Sequence, residues 1–401
     1  MKILLLNNLY PPTVVGGAER SVEVLARGLA EHGLDVAVAC LAQDEDRTEI
    51  RDGVTVHRFA HGNVYWPFSS EPRNAIRRLR WHAGDALRFA GQARLENLLD
   101  QFRPDVVHTN NLVGFGSNII PMVKRRGLPV VHTLRDFGLI CSRSSLFKKQ
   151  EDCETRCASC KVLTARKASA ALQADLVVGN SAFMIERHRH FGIFCDTPAC
   201  TIYNAVPGIL GERDAPVSRN KNDLLQVGFA GAIKPEKGIE TLLDALQAIG
   251  PHGWRLSIAG KGDKAYVARL QKRYGELPID WLGFVPIRPF LDGLDLMVIP
   301  SIWPEPMPRT LIEAMAHRLP VLVSDAGGSP EVAAMYDGAK LYPKRETGAL
   351  ARLLAETIAT PPPRTRPDPE VLRTFSVEQL VDNYLAAYQE AIASNQSKAK
   401  A

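Results

Sequence analysis

The residues that decide the fold pass from a strand through a loop into a helix, and they read Pro300-Ser301-Ile302-Trp303-Pro304-Glu305-Pro306-Met307-Pro308-Arg309-Thr310-Leu311-Ile312-Glu313-Ala314-Met315-Ala316. The apolar run 296–300 has the length and composition of a buried strand. Glu305 lies in the loop and Glu313 lies about one turn into the helix, so the two carboxylates address two ends of one site. The backbone amides of Arg309, Thr310 and Leu311 open the helix, where the free N–H groups and the dipole suit a phosphate.

The same alternation of strand and helix extends in both directions along the chain. Strand patterns occur at 3–6, 36–40, 106–109 and 130–133, and they restart at 226–230 after a polar, Gly- and Pro-bearing stretch at 207–223. Alternating strands and helices indicate α/β domains with parallel sheets. We predict two Rossmann-like doubly wound domains that face a central cleft, at 1–205 and 206–375. A final helix in 376–401 is expected to pack back towards the first domain before a polar tail.

Length and composition agree with two globular domains. The 401 residues exceed the roughly 250–300 that one core usually serves. Apolar residues at 45% and charged residues at 23% exclude a disordered or fibrous chain, and the net charge of +5 gives no reason to expect a nucleic-acid partner. The apolar run that follows Met1 ends too early for a signal peptide, and no stretch approaches the roughly 18 apolar residues of a membrane helix. We therefore expect a cytoplasmic protein, peripheral to a membrane at most.

Two further loops follow predicted strands, where open parallel sheets bind their ligands. The loop after 226–230 reads Gly231-Ala232-Ile233-Lys234-Pro235-Glu236-Lys237-Gly238. The loop after 3–6 reads Tyr10-Pro11-Pro12-Thr13-Val14-Val15-Gly16-Gly17-Ala18-Glu19-Arg20. It does not have the G-x-G-x-x-G spacing, so a dinucleotide is disfavoured. His108 and the segment His132-Thr133-Leu134-Arg135-Asp136 end two other strands of the first domain. For either histidine, a structural role is as reasonable as a functional one.

These stretches together resemble glycosyltransferase family 4, which has the GT-B fold, and the Glu305 to Glu313 stretch is the most specific part of the resemblance. The resemblance implies a retaining hexosyltransferase that needs no cofactor and moves a sugar from a UDP- or GDP-sugar to a saccharide or lipid-linked acceptor in surface polysaccharide synthesis. It gives catalytic positions to four residues, namely Glu305, Lys237, Arg135 and His132. The implied donor-binding residues are Gly17, Gly231, Lys234, Lys237, Glu305, Arg309, Thr310, Leu311 and Glu313. The implied acceptor-side residues are Gly16, Gly17, Glu19, His108 and Asp136.

The chain departs from the family pattern at three places. Ala232 stands where the family usually has an arginine that pairs with Lys237, and Lys234 is the available substitute. Met307-Pro308 replaces Phe-Gly, and Pro308 has no N–H to donate. Arg135 replaces a histidine and cannot act as a base at neutral pH. These departures keep open a catalytically inactive relative, either binding sugar nucleotides or serving as a scaffold. A nucleotide-sugar 2-epimerase and a phosphorylase also share the architecture.

Seven cysteines in a chain predicted to be cytoplasmic argue against a disulfide framework. Four of them cluster within the loop 141–160, which we assign to the first domain: Cys141, Cys153, Cys157 and Cys160. The spacing favours a structural metal, either zinc or an iron–sulfur cluster, and the alternatives are free thiols first and a disulfide or redox role after them.

The segment from Arg73 to Arg94 carries an excess of positive charge. Its six arginines are interleaved with apolar residues that include Trp81. Such a segment is either a solvated helix face or a contact with an anionic bilayer or with an acceptor phosphate.

Overall fold

The computed structural model describes residues 1–69, 74–87, 91–211 and 224–400, and it divides into two compact units. The first unit comprises Met1–Leu146, Glu154–Pro207 and Val377–Ala401, and the second comprises Phe147–Cys153 and Gly208–Ser376. The main division falls two residues beyond the predicted boundary, and residues 212–223 of the polar stretch lie outside the described residues. The assignment of the whole loop 141–160 to the first domain needs correction, because residues 147–153 belong to the second unit.

The first unit is built on an eight-stranded sheet. Its strands are β1 (Lys2–Leu6), β2 (Asp35–Ala42), β3 (Arg47–Arg51), β4 (Val54–Ala60), β5 (Val106–Thr109), β6 (Val130–Leu134), β9 (Leu176–Gly179) and β10 (Ala199–Thr201). They are ordered β10-β9-β6-β5-β1-β2-β4-β3. All neighbours are parallel except β3, which pairs antiparallel with β4. The valine- and leucine-rich strands are buried on both faces, as parallel sheets covered by helices require.

The helices of the first unit are α1 (Gly17–Glu31), α2 (Ala75–Leu87), α3 (Gln92–Phe102), α4 (Ile119–Arg125), α5 (Ala158–Ala171), α6 (Ala182–His190) and α14 (Val377–Lys400). The terminal helix α14 is part of this core, where Leu380, Val381, Tyr384 and Tyr388 are buried together with Leu25 of α1. The last helix of the chain therefore completes the core of the first unit.

The second unit has a six-stranded, all-parallel sheet ordered β13-β12-β11-β14-β15-β16. Its strands are β11 (Leu225–Ala230), β12 (Trp254–Ala259), β13 (Ile279–Gly283), β14 (Leu296–Ile299), β15 (Val321–Ser324) and β16 (Ala339–Tyr342). A separate hairpin consists of β7 (Phe147–Lys148) and β8 (Glu151–Asp152). The strand order reverses between β11 and β14, and the loops that follow these two strands are where such a sheet binds ligands.

The helices of the second unit are α7 (Ile239–Ile249), α8 (Lys264–Arg273), α9 (Ile287–Asp292), α10 (Arg309–Ala316), α11 (Ser329–Ala333), α12 (Thr347–Ala359) and α13 (Pro369–Thr374). A short 3₁₀ turn, Pro235–Lys237, precedes α7. With a parallel core sheet and flanking helices in each unit, the predicted α/β class and the two Rossmann-like domains are confirmed.

The basic segment falls mainly on α2. Trp81 is only 4% exposed and its ring packs with that of Tyr65, so the ring of Trp81 is not part of the exposed surface of this segment. Arg77 and Arg80 are exposed, whereas Arg73 and Arg88 lie outside the described residues. Among the helices of the described ranges, none combines the length and the apolar composition needed to cross a membrane.

The contact between α1 and α14 leads to a first prediction. A Cβ built on Gly28 would lie 2.8 Å from methyl carbons of both Val377 and Val381. We expect Gly28→Ala to lower the free energy of unfolding by about 1–2 kcal/mol, since overpacking outweighs the gain in helix propensity. The matched control is Gly348→Ala in α12, where a Cβ meets nothing within 4 Å and the change should be neutral or stabilising. Denaturant unfolding of both variants measures this difference. Equal free energies of unfolding for Gly28→Ala and Gly348→Ala would contradict the close packing of α1 against α14.

Candidate active site

The second unit brings Lys237 and Glu305 together across the point where the strand order reverses. The Nζ atom of Lys237 donates to both carboxylate oxygens of Glu305, at 2.9 and 2.7 Å. Oε2 of Glu305 also accepts from Ser301 Oγ at 3.0 Å and from Trp303 Nε1 at 2.8 Å. Glu305 is 8% exposed, and the Lys237 ammonium lies 5.3 Å from the centre of the Trp303 ring. The carboxylate is therefore held in one orientation by three side chains.

Two glycines allow this close approach of the loops. Gly238 has φ +70°, and a Cβ there would overlap the carbonyl of Pro300. Gly327 has φ +63°, and a Cβ there would overlap the backbone of Glu305, whose carbonyl accepts from the amide of Gly328 at 2.8 Å. The positive φ values and the lack of space both require glycine. The Gly327-Gly328 turn thus packs against the backbone of Glu305 and fixes its position.

The helix that follows, α10, starts beside this carboxylate. Pro308 is its N-cap, and the amide of Leu311 donates to the carbonyl of Pro308 at 3.1 Å. The prediction that Leu311 offers a free amide is therefore wrong, because the first turn already uses it. Within the helix, Arg309 and Glu313 form an ion pair of 3.8 Å, and both side chains are less than 20% exposed.

Backbone hydrogen bonds shape the loop after β11. Lys234 is exposed, and its carbonyl accepts the amide of Lys237 at 3.0 Å, so its backbone starts the 3₁₀ turn. Ala232 is exposed, and Gly231 donates its amide to the carbonyl of Ala259 at 2.9 Å. Lys237 is the side chain of this loop that reaches Glu305.

A pocket lies within the first unit, at the carboxyl ends of β5 and β6 and along α5. Three predicted residues line it, namely His132, Arg135 and Asp136. The other lining residues are Asn110, Asn111, Leu112, Val113, Gly116, Ser117, Ile120, Thr133, Leu134, Gly138, Leu139, Lys167, Ala170 and Ala171. The pocket combines amide, hydroxyl and charged groups with an apolar wall, which is the usual composition of a small-molecule site.

Arg135 and Asp136 differ in how firmly they are held. Arg135 is 8% exposed, and its guanidinium donates to the side-chain carbonyls of Asn110 and Asn204, both at 2.7 Å. Asp136 is half-buried and accepts from the amide of Gly138 at 2.6 Å. Burial raises the pKa of Asp136 to about 6, although the Gly138 amide and the charge of Lys167 oppose the rise.

The two histidines have different environments. His132 lines the pocket, its Nδ1 lies 2.8 Å from Thr109 Oγ1, and burial lowers its pKa to about 3. His108 is fully buried between Thr133 and Tyr388, with its ring nitrogens 2.7 and 2.8 Å from their hydroxyls. Burial also holds the pKa of His108 well below its usual range. The acceptor-side assignment of His108 is therefore corrected to a structural one, because no face of the ring reaches the surface.

The glycine loop of the first unit is fixed by buried charges. The carboxylate of Glu19 accepts from the amide of Gly16 at 2.8 Å, so Glu19 closes the start of α1 rather than reaching outward. Gly17 is the first residue of α1. Arg58, which sequence reasoning missed, donates to the carbonyls of Tyr10 at 3.0 Å and Pro11 at 2.5 Å.

Comparisons with known proteins decide the family. The model described as Glycosyltransferase Family 4 matches residues 15–207, and the model described as Glycosyl transferases group 1 matches residues 225–360. The chain belongs to glycosyltransferase family 4. A 42.6 kDa uncharacterized protein in the cps region of Klebsiella pneumoniae is 31% identical over 83% of this chain and 87% of that protein. An uncharacterized glycosyltransferase of Methanocaldococcus jannaschii is 27% identical over 86% of each chain.

Solved structures show the same GT-B fold at low sequence identity. Sucrose-phosphate synthase from Thermosynechococcus elongatus has a TM-score of 0.74 at 18% identity, over 98% of this glycosyltransferase and 99% of that chain. HepE from Anabaena, in complex with UDP, has a TM-score of 0.66 at 19% identity, over 100% of this chain and 99% of that chain.

The cysteines of the glycosyltransferase are only partly gathered. A hydrogen bond links Cys160 to Cys157, and Cys160 Sγ also lies 3.6 Å from Ser142 Oγ. Burial raises the pKa of the Cys160 thiol, and Cys141 is close enough to contribute to the raised pKa. Within the described ranges, no group of three or more His, Cys, Asp or Glu side chains is arranged to hold a metal ion. Metal binding by Cys141, Cys153, Cys157 and Cys160 stays a prediction.

The raised pKa of Asp136 gives a second prediction. The folded protein keeps this proton up to pH about 6, whereas the unfolded chain releases it near pH 4. Folding is therefore weakened as the pH rises from about 4 to 6, and the loss persists above pH 6. Asp136→Asn should be as stable as the parent at pH 4 and more stable by about 1–2 kcal/mol at pH 7–8, a range discounted for partial solvent exposure.

Urea unfolding of the glycosyltransferase at several pH values measures this difference. The matched control is Asp337→Asn, which removes the same charge from an exposed position of the second unit. If the curves of parent and Asp136→Asn run parallel between pH 4 and 8, the carboxylate is not destabilised by burial.

Proposed function

We propose that this glycosyltransferase moves a hexosyl group, with retention of configuration, from a UDP- or GDP-sugar bound by the second unit. The observation that carries the proposal is the Lys237–Glu305 pair, placed between the loops after β11 and β14 and beside the start of α10. A cation, a fixed carboxylate and a helix N-terminus are the groups that a sugar diphosphate needs. HepE, whose structures contain UDP and UDP-glucose, makes a uridine nucleotide the first donor to test.

The two partners of the pair have different roles in the proposed reaction. Lys237 exchanges its contact with Glu305 for the donor phosphates and stabilises the charge that develops on the departing diphosphate. Glu305, which Ser301 and Trp303 still hold, orients the sugar through its hydroxyl groups. Glu313 lies on α10, eight residues after Glu305, and binds the ribose.

The catalytic step is proposed to need no metal and no enzymic nucleophile. Lys237 and the first amides of α10 supply the positive charge at the diphosphate. A front-side displacement needs no protein base at Arg135, whose guanidinium stays protonated and is engaged by two asparagines.

The pocket of the first unit is proposed to bind the acceptor, a saccharide or a lipid-linked saccharide. Asp136, Asn111 and Ser117 offer groups that bind hydroxyls, and Leu112 and Ala171 belong to the apolar wall. The names of two further relatives support a place in surface polysaccharide synthesis. They are a putative teichuronic acid biosynthesis glycosyltransferase of Bacillus subtilis and an amylovoran biosynthesis glycosyltransferase of Erwinia amylovora.

The donor assignment is tested by thermal shift with UDP-, GDP-, ADP- and dTDP-sugars. We expect one nucleotide class to raise the melting temperature by several degrees, because a ligand at 100 times its Kd adds about 2.7 kcal/mol. Glu313→Ala should abolish the shift. Glu305→Ala should keep donor affinity within a few-fold and lower the rate of transfer about 10²–10³-fold, since it acts on the sugar rather than the nucleotide.

Several outcomes would change this assignment. If Glu305→Ala transfers sugar at the parent rate, Glu305 has no role in the mechanism. If a chelator abolishes the activity of the parent, the reaction is not independent of metal. If the protein consumes the donor when no acceptor is present and the product is the C2 epimer, the activity is that of the epimerase. Donor binding without transfer or hydrolysis indicates the inactive relative.

Membrane contact is proposed for the exposed face of α2, where Ile76, Arg77 and Arg80 are exposed. Basic side chains together with an exposed apolar one favour an anionic bilayer surface. Arg77→Glu/Arg80→Glu should reduce sedimentation with phosphatidylglycerol vesicles at least tenfold, because each arginine near the surface contributes about 1 kcal/mol. The matched control Lys264→Glu/Lys272→Glu makes the same charge change on α8. Equal binding of the two double variants contradicts the contact.

A further inference from the structure

The hairpin β7–β8 is an insertion from the first half of the sequence into the second unit. Phe147 pairs with Asp152 and Lys148 with Glu151, and the turn residues Lys149 and Gln150 both have positive φ. The chain on either side of residues 147–153 belongs to the first unit. The residues of the hairpin are therefore held by contacts within the second unit.

Those contacts centre on the carboxylate of Asp152, which is 14% exposed. It pairs with the ammonium of Lys344 and accepts from the guanidinium of Arg345 at 3.2 Å. The guanidinium of Arg345 also lies 5.6 Å from the centre of the Phe147 ring. The hairpin thus fixes the two cations that follow β16, one through its charge alone and one through charge and ring together.

Arg345 passes this restraint to the loop that carries Glu305. Its guanidinium donates to the carbonyl of Ile302 at 3.1 Å, while the amide of Ile302 donates to the carbonyl of Glu236 at 3.0 Å. Ile302 is therefore held on one side by the hairpin and on the other by the residue that precedes Lys237. The next residue is Trp303, whose indole N–H orients Glu305.

We propose that Asp152 is a positioning residue for the donor site, acting through Arg345 on the backbone of Ile302. It touches neither the donor nor Glu305, and it sets where Trp303 and Glu305 stand. The inference rests on the proposed function of that loop as the donor site. A displacement of about 1 Å at a reacting group can cost a hundredfold in rate, so a distant anchor of this kind has a measurable effect.

The test compares Asp152→Asn with Glu151→Gln, which removes the same charge from the neighbouring, exposed residue of the hairpin. With UDP-glucose as the probe, we expect Asp152→Asn to lower kcat for donor hydrolysis about 10- to 100-fold while KM and the affinity for UDP stay within twofold. Asp152→Glu should recover part of the loss, and Glu151→Gln should match the parent. In the background of Arg345→Met, Asp152→Asn should have little further effect.

Three results overturn the proposal. One is parent-like kcat in Asp152→Asn. Another is a double variant whose fold-loss in kcat equals the product of the fold-losses of Asp152→Asn and Arg345→Met, because independent effects mean that Asp152 does not act through Arg345. The third is a loss of UDP affinity together with the melting temperature, which indicates a merely structural contact.

A second measurement needs no donor and so separates this inference from the proposed function. Hydrogen exchange followed by mass spectrometry reports on the amides of Ile302, Trp303 and Glu305. Asp152→Asn should speed their exchange at least tenfold relative to Glu151→Gln, even in a protein that binds no nucleotide sugar. If the exchange rates are unchanged, Asp152 is not a positioning residue. If exchange is faster but the protein binds none of the nucleotide sugars, the positioning role stands and only the proposed function is refuted.

Discussion

The second unit depends on how closely the loop after β14 approaches the loop after β11. Gly238 lies against the carbonyl of Pro300, and the amide of Ile302 donates to Glu236, so the two loops share a backbone contact before any side chain is considered. Only then can Lys237 reach Glu305 with both carboxylate oxygens in range. A buried ion pair contributes little net stability, because desolvation offsets the attraction. Its value here lies in orientation, because Lys237 bonds both carboxylate oxygens of Glu305 and so fixes the plane of the carboxylate.

The first unit buries several polar side chains between the interior strands of its sheet and the terminal helix α14. His108 lies between Tyr384 and Tyr388 of α14, and Thr133 joins the same set of hydrogen bonds. Burial raises the pKa of both tyrosines and lowers that of the histidine, so all three stay neutral and serve only as hydrogen-bond partners. The terminal helix is thereby tied to strands β5 and β6, whose carboxyl ends carry the pocket. Loss of α14 would leave His108 and Thr133 without their tyrosine partners.

The fold and the Glu305 site were predictable because their signals are local. Short apolar runs mark the strands and a period of 3.6 residues marks the helices, and the spacing of Glu305 and Glu313 is fixed by one strand–loop–helix unit. Residues that act across long sequence separations left no such signal. Lys167, Arg58 and Asp152 are ordinary charged residues in the sequence, and each acquires its role only when the sheet brings a distant loop to it. The acceptor-side prediction for His108 failed for the same reason, because the sequence at the end of a strand does not show which helix will cover that end.

The departures from the family pattern are best understood through what holds each position. Arg135 occupies the place of a histidine, but Asn110 and Asn204 engage its guanidinium, so it supplies fixed charge rather than proton transfer. Pro308 removes one amide from the loop before α10, yet as N-cap it starts α10 without cost to the helix, and the Gly327-Gly328 turn still supports Glu305. Ala232 removes one cation, and Lys237 remains, held in place by Glu305 and Trp303. Within the second unit, the carboxylate of Glu305, the ammonium of Lys237 and the first turn of α10 therefore stay together, although Ala232 and Pro308 take away one cation and one backbone amide.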